Sequence, residues 1–105
     1  MFENYRRYPR YSVCAKAVLR RLIDGSPEKL TVLVNTISQG GMGFYTDVFL
    51  EKATPVSIEL MVDSPGGPDV FEGRIASVSP QGKDYFTGIA FNEDISYDSF
   101  VGIVG

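Results

Sequence analysis

Apolar and polar residues alternate along much of this chain, a pattern that predicts β-strands. The clearest alternation runs over residues 56–63, where apolar Val56, Ile58 and Leu60 are separated by polar residues. Residues 30–37 are instead rich in β-branched side chains and apolar on both faces, as expected of a central strand. The stretches that predict strands are 13–23, 30–37, 43–47, 56–63, 70–78 and 85–91.

Turns rich in glycine and proline separate several of these stretches, at residues 24–27, 64–68 and 80–84. Short strands at nearly regular spacing predict an all-β domain, either an antiparallel barrel or a sandwich. After the last strand, residues 94–104 predict a short helix that carries apolar residues on one face and begins at Asp94 as its N-cap.

The composition argues against catalysis. The chain has no histidine and one cysteine in 105 residues, which removes the commonest general base and makes a Cys–His pair or a Ser–His–Asp triad impossible. We therefore expect no enzymatic activity, no metal and no cofactor. No apolar run approaches the ~20 residues that span a bilayer, and no signal peptide is evident. These features predict a cytoplasmic protein that does not enter a membrane.

The charges are unevenly distributed. Residues 1–29 carry seven basic and three acidic side chains, a net charge of +4, whereas residues 30–105 carry three basic and ten acidic ones, a net charge of −7. Three of the basic residues lie close together, in the segment Arg-Arg-Tyr-Pro-Arg at 6–10. Guanidinium groups bind phosphate, pair with the acceptor edge of guanine and stack on flat rings. This segment is a candidate site for an anion that carries a ring, with a solvated basic tail as the alternative.

A second candidate lies where the predicted strand 30–37 ends. Ser38 offers a hydroxyl, while Gly40 and Gly41 allow positive φ and can present amide groups to an anion. An ordinary β-turn or bulge is the alternative interpretation of the glycines. Taken together with the arginine segment, this turn predicts a ligand that is held from two sides.

The two motifs, in this order, resemble those of the PilZ domain family. That family carries an Arg-x-x-x-Arg motif near its N-terminus and an Asp/Asn-x-Ser-x-x-Gly motif further along the chain. Arg6 and Arg10 match the first motif, and Ser38 and Gly41 match the second.

The resemblance implies a fold and a ligand. The fold is a six-stranded antiparallel β-barrel with a short C-terminal helix, arranged here as a single domain with an arm at 1–11, the barrel at 12–92 and the helix at 94–104. The ligand is cyclic di-GMP, a bacterial second messenger with two guanines and two phosphates. The residues that the resemblance assigns to the ligand site are Arg6, Arg7, Arg10, Thr36, Ser38 and Gly41.

Thr36 departs from the family motif, which has Asp or Asn at that position. A threonine offers one hydroxyl, whereas a carboxylate offers two acceptor oxygens to the donors of guanine. Asn35 precedes Thr36, but neighbours in a regular strand point to opposite faces, so Asn35 could replace the motif residue only through a bulge. An alternative prediction is therefore a degenerate PilZ domain that binds no nucleotide and acts as a protein-interaction module.

If the domain does bind cyclic di-GMP, we expect it to relay the signal to a protein partner that the sequence does not identify; the sequence leaves the oligomeric state open. A further alternative is a small barrel that binds single-stranded nucleic acid through its aromatic residues. The net charge of −7 over residues 30–105 disfavours a long polyanion, so we expect neither DNA nor RNA as a partner.

Overall fold

The computed structural model describes residues 8–22, 29–61 and 69–104, which form six strands and one helix. Residues 6 and 7 of the arginine segment and the turns predicted at 24–27 and 64–68 lie outside the described residues. The elements are β1 Tyr11–Arg21, β2 Lys29–Ser38, β3 Gly41–Thr46, β4 Pro55–Leu60, β5 Asp69–Gln81, β6 Asp84–Phe91 and α1 Tyr97–Val104.

The six strands close into an antiparallel barrel in the order β1-β2-β3-β6-β5-β4. The predicted all-β barrel with a short C-terminal helix is thus confirmed, and the sandwich alternative is wrong. Strands that are consecutive in the chain pair with each other, except β3 and β4. Instead, β3 pairs with β6, and β4 pairs with β1 to close the barrel. The turn predicted at residues 80–84 joins β5 to β6, and Gly82 adopts a left-handed φ of 64° there.

Side chains alternate along each strand between the interior and the surface of the barrel, and the inward-facing apolar ones fill the interior. The three apolar residues of β4 named above are all buried, as a half-buried strand requires. Each fully buried Val, Leu, Ile or Phe contributes on the order of 1.5–3 kcal/mol to folding, so the interior dominates the stability of the domain. The largest buried apolar side chains are those of Leu19, Val34, Ile37, Met42, Phe44, Leu50, Val56, Ile58, Leu60, Ile75 and Ile89.

A β-bulge interrupts the alternation in β2. Phe44 and Gly43 are consecutive on β3, yet they pair with Val34 and Thr36 of β2, so Asn35 is an extra residue. The strand is apolar on both faces as predicted, but only one face is buried: Val32 and Val34 face the core, whereas Leu33 between them is exposed.

The helix α1 packs against the barrel through Phe100, which is buried and contacts the ring of Tyr11 with the ring centroids 5.2 Å apart. Its N-cap is Ser96, whose hydroxyl oxygen accepts a hydrogen bond from the backbone N–H of Ser99 at 3.3 Å. The prediction of Asp94 as the cap is wrong, since that carboxylate binds a tyrosine instead.

Candidate functional site

The turn between β2 and β3 is held by the hydroxyl of Ser38. This side chain is only 2% exposed, and its Oγ accepts a hydrogen bond from the backbone N–H of Gly40 at 3.2 Å. The Oγ–H remains a potential donor to an anion. Among the described glycines only Gly82 has a left-handed φ, so the expected positive φ at Gly40 and Gly41 does not occur.

The same turn is fastened to the loop that joins β6 to α1. Gln39 donates from Nε2 to the carbonyl of Ile95 at 3.0 Å, and the N–H of Ile95 donates to the carbonyl of Gln39 at 2.7 Å. The N–H of Phe91 donates to the carbonyl of Gly40 at 2.9 Å. These bonds fix the turn against the end of the barrel that α1 covers. Sequence reasoning missed Gln39, because nothing local indicates a partner 56 positions away.

Tyr8, from the arginine segment, lies on this turn. A Cβ atom built on Gly40 would lie 3.4 Å from Cδ2 of the Tyr8 ring, so the ring lies directly beside this glycine. The Tyr8 hydroxyl donates a hydrogen bond of 2.7 Å to Oδ2 of Asp94 in the β6–α1 loop. The N-terminal segment and the glycine turn, separated by thirty residues of sequence, are therefore in contact.

Arg10 lies at the same end of the barrel and is exposed. It directly precedes β1, whose first residue Tyr11 pairs with Ile37 of β2. Ser38 directly follows Ile37, so the backbone of Arg10 runs beside the strand end that carries Ser38. Arg6 and Arg7 lie outside the described residues.

Thr36 and Gly41 occupy the strands on either side of the turn. Thr36 is half-buried on the outer face of the barrel, opposite Ser12 of β1 and Gly43 of β3. A Cβ atom on Gly43 would lie 2.7 Å from the Thr36 hydroxyl oxygen and 2.6 Å from Cζ of Phe86, so both side chains cover that glycine. Gly41 is buried and pairs with Ser38.

A separate hollow of about 500 Å³ lies between β5 and the β6–α1 loop. Its lining includes the carboxylates of Glu72, Glu93 and Asp94, which would repel a phosphate. Of the residues named so far in the site, Asp94 and Ile95 line this hollow. The candidate anion site, formed by Arg10 and the turn, therefore lies beside the hollow and not inside it.

Within the described ranges, no cluster of three or more acidic, cysteine or histidine residues could hold a metal ion. In the same part of the chain, no helix has the length and apolar character needed to cross a membrane.

The chain belongs to the PilZ domain family, whose model matches residues 4–101. This membership agrees with the closed six-stranded barrel, the terminal helix and the meeting of the two motif regions at one end. No curated protein is recognisably similar in sequence.

Several solved structures share the fold. The PilZ domain of YcgR from Escherichia coli with c-di-GMP is 21% identical, with a TM-score of 0.73 over 94% of this chain and 88% of that one. YcgR from Escherichia coli in complex with c-di-GMP is 22% identical, with a TM-score of 0.69 over 92% of this chain. The inhibitor of motility MotI/DgrA from Bacillus subtilis is 13% identical, with a TM-score of 0.69 over 91% of this chain.

The present chain spans only 46% of the MotI/DgrA chain and 42% of the YcgR chain in that complex. At these identities the likeness concerns the fold alone.

Proposed function

We propose that this PilZ domain is a receptor for cyclic di-GMP, which binds between the N-terminal arginine segment and the turn at Ser38–Gly41. The observation that carries the proposal is the contact of Tyr8 with Gly40 and Asp94. Because Tyr8 lies between the arginines of the first motif, this contact supports a position of that motif beside the second one.

The residues of the two regions suit the chemistry of the ligand. Arg6, Arg7 and Arg10 supply guanidinium groups for phosphate and for the N7 and O6 acceptors of guanine. The Ser38 hydroxyl and the backbone at Gly41 supply contacts from the barrel, and Thr36 adds one hydroxyl on the outer face. The YcgR structures of the same fold contain c-di-GMP, which supports this choice of ligand.

The proposed role is binding and relay, with no reaction catalysed by the domain and a cytoplasmic site of action. Two features support the relay. The hydrogen bonds between Gln39 and Ile95 connect the turn to the segment that leads into α1. In addition, Leu33, Tyr45 and Phe49 are 41%, 43% and 56% exposed, and such apolar side chains suit contact with a protein partner.

The second candidate is a degenerate PilZ domain that serves only as an interaction module. Thr36 favours it, because losing a bidentate acceptor for guanine costs on the order of 1–3 kcal/mol, about ten- to hundredfold in affinity. The exposed apolar residues on the outer face fit this function equally well.

Calorimetric titration of the purified protein with cyclic di-GMP, with GTP as the control ligand, tests the proposal. We expect binding of cyclic di-GMP alone. Arg6→Ala and Arg10→Ala should each weaken binding about ten- to hundredfold, since one paired arginine contact is worth roughly 1–3 kcal/mol. The melting temperature of the free protein should stay nearly constant.

Arg20→Ala is the matched control. Arg20 is an exposed arginine of β1 that pairs only weakly, at 4.0 Å, with Glu59, and it lies about 30 Å along the strand from Arg10. Its replacement should leave the affinity unchanged. An absence of heat with the unmodified protein would refute the receptor function and favour the interaction module, while unfolding of the Arg10 variant would assign the arm a structural role.

A further inference from the structure

The bulge in β2 places Asn35 on the same face of the barrel as Thr36. Val34 and Ile37 are 0% and 1% exposed and both belong to the core, although three positions separate them. In a regular strand, inward residues are two apart. The extra residue means that Asn35 and Thr36 both lie on the outer side between them.

The neighbouring strand accommodates this irregularity. Ser12 of β1 pairs with Thr36, and Ala15 pairs with Val34, so two residues of β1 face Asn35 alone. Asn35 therefore lies between two distorted ladders, one residue from Thr36 and on the strand that ends at Ser38. It is close to the point where the arm enters β1.

The side-chain oxygen of Asn35 lacks a hydrogen bond. Asn35 is half-buried, and its Oδ1 is a buried atom with no partner among the residues that the structure describes. Leaving a buried acceptor unpaired costs on the order of 1–3 kcal/mol. A ligand could donate a hydrogen bond to this oxygen only after the amide rotates and brings Oδ1 to the exposed side of the residue.

The amide has the chemistry that Thr36 lacks. Guanine offers the N1–H and amino donors on one edge, and an amide oxygen can accept from them. The terminal torsion of asparagine is broad and nearly two-fold, so rotation exchanges Oδ1 and Nδ2 without moving the backbone.

We propose that Asn35 is a ligand-contacting residue that selects guanine, with its amide oxygen accepting a hydrogen bond from the N1–H and amino edge of cyclic di-GMP. This inference rests on the proposed receptor function. Asn35 would make the contact with the guanine edge that the single hydroxyl of Thr36 cannot make. The bulge permits this contact because it places Asn35 on the outer face beside Thr36.

The test compares Asn35→Ala, Asn35→Asp and Thr36→Ala by calorimetry with two ligands, cyclic di-GMP and cyclic di-IMP, whose bases lack only the amino group. Asn35→Ala should bind cyclic di-GMP roughly tenfold or more weakly. It should also lose the preference for cyclic di-GMP over cyclic di-IMP that the unmodified protein and Thr36→Ala retain. Asn35→Asp has the same shape and keeps an acceptor, so it should bind.

Thr31→Ala, an exposed polar residue on the same strand, is the matched control and should bind normally. Thermal unfolding of each variant checks the fold. Asn35→Ala binding within twofold of the unmodified protein, or with its base preference intact, would overturn the inference and leave the receptor function standing. Equal losses in Asn35→Ala and Asn35→Asp would also overturn it, because they would show that the amide donor matters. Failure of the unmodified protein to bind would overturn both.

Discussion

Removing the Ser38 hydroxyl should weaken the fold as well as the proposed site. Ser38→Ala deletes the acceptor for the N–H of Gly40, a bond of 3.2 Å between a nearly fully buried oxygen and a half-buried amide. The substitution removes one atom and leaves almost no cavity. The cost therefore comes from the hydrogen bond.

The magnitude follows from the burial of the two groups. A typical hydrogen bond contributes about 1 kcal/mol net, and an orphaned buried donor costs up to about 3 kcal/mol. Gly40 is only half-buried, so water can partly replace the lost acceptor, and we expect about 1 kcal/mol. In a domain of this size, that loss lowers the melting temperature by about 4–8 °C.

Thermal unfolding followed by circular dichroism measures the effect. Ser79→Ala, an exposed serine of β5, is the control and should shift the free energy of unfolding by less than about 0.5 kcal/mol. A melting temperature for Ser38→Ala within 1 °C of the unmodified protein would refute the reasoning, because the turn would then not depend on this bond.

Two further predictions concern the hydrogen bond between Tyr8 and Asp94 and the packing of the barrel. Tyr8→Phe removes the 2.7 Å hydrogen bond to exposed Asp94, so calorimetry should show cyclic di-GMP binding about two- to fivefold weaker, with an unchanged melting temperature. An unchanged affinity would show that this hydrogen bond does not position the N-terminal arm. Gly73→Ala should destabilise strongly in thermal unfolding, since its Cβ would overlap the Ala90 carbonyl oxygen, which is backbone and cannot rotate away. Gly102→Ala, in open space on α1, is the control and should stabilise by up to about 1 kcal/mol; equal melting temperatures for the two glycine variants would contradict the overlap.

The strands were predictable where one face alone is buried. The period of two in β4 and the turn around Gly82 both follow from local chemistry, and both match the structure. The pairing of β3 with β6 and of β1 with β4 was not predictable in this way, because it depends on contacts between distant segments. The bulge at Asn35 was not predictable either, since no proline or glycine marks it.

The two sequence motifs of the candidate site were predictable, but the contacts that bring them together were not. The arginine segment and the serine–glycine turn were both identifiable, because their residue types carry specific chemistry. The sequence assigned Asp94 to a helix cap, whereas the structure pairs it with Tyr8, 86 positions away. Such a contact follows only once the barrel has closed and brought the β6–α1 loop beside the turn.

The two hydrogen bonds between Gln39 and Ile95 also have a thermodynamic consequence. If ligand binding at the turn changes the free energy of the segment leading into α1, a protein that binds α1 must change the affinity for the ligand by the same factor. A coupling of only 1.4 kcal/mol would move the half-saturating ligand concentration about tenfold. The ligand concentration that half-saturates the proposed receptor would then depend on the domain and on the protein that binds α1 together.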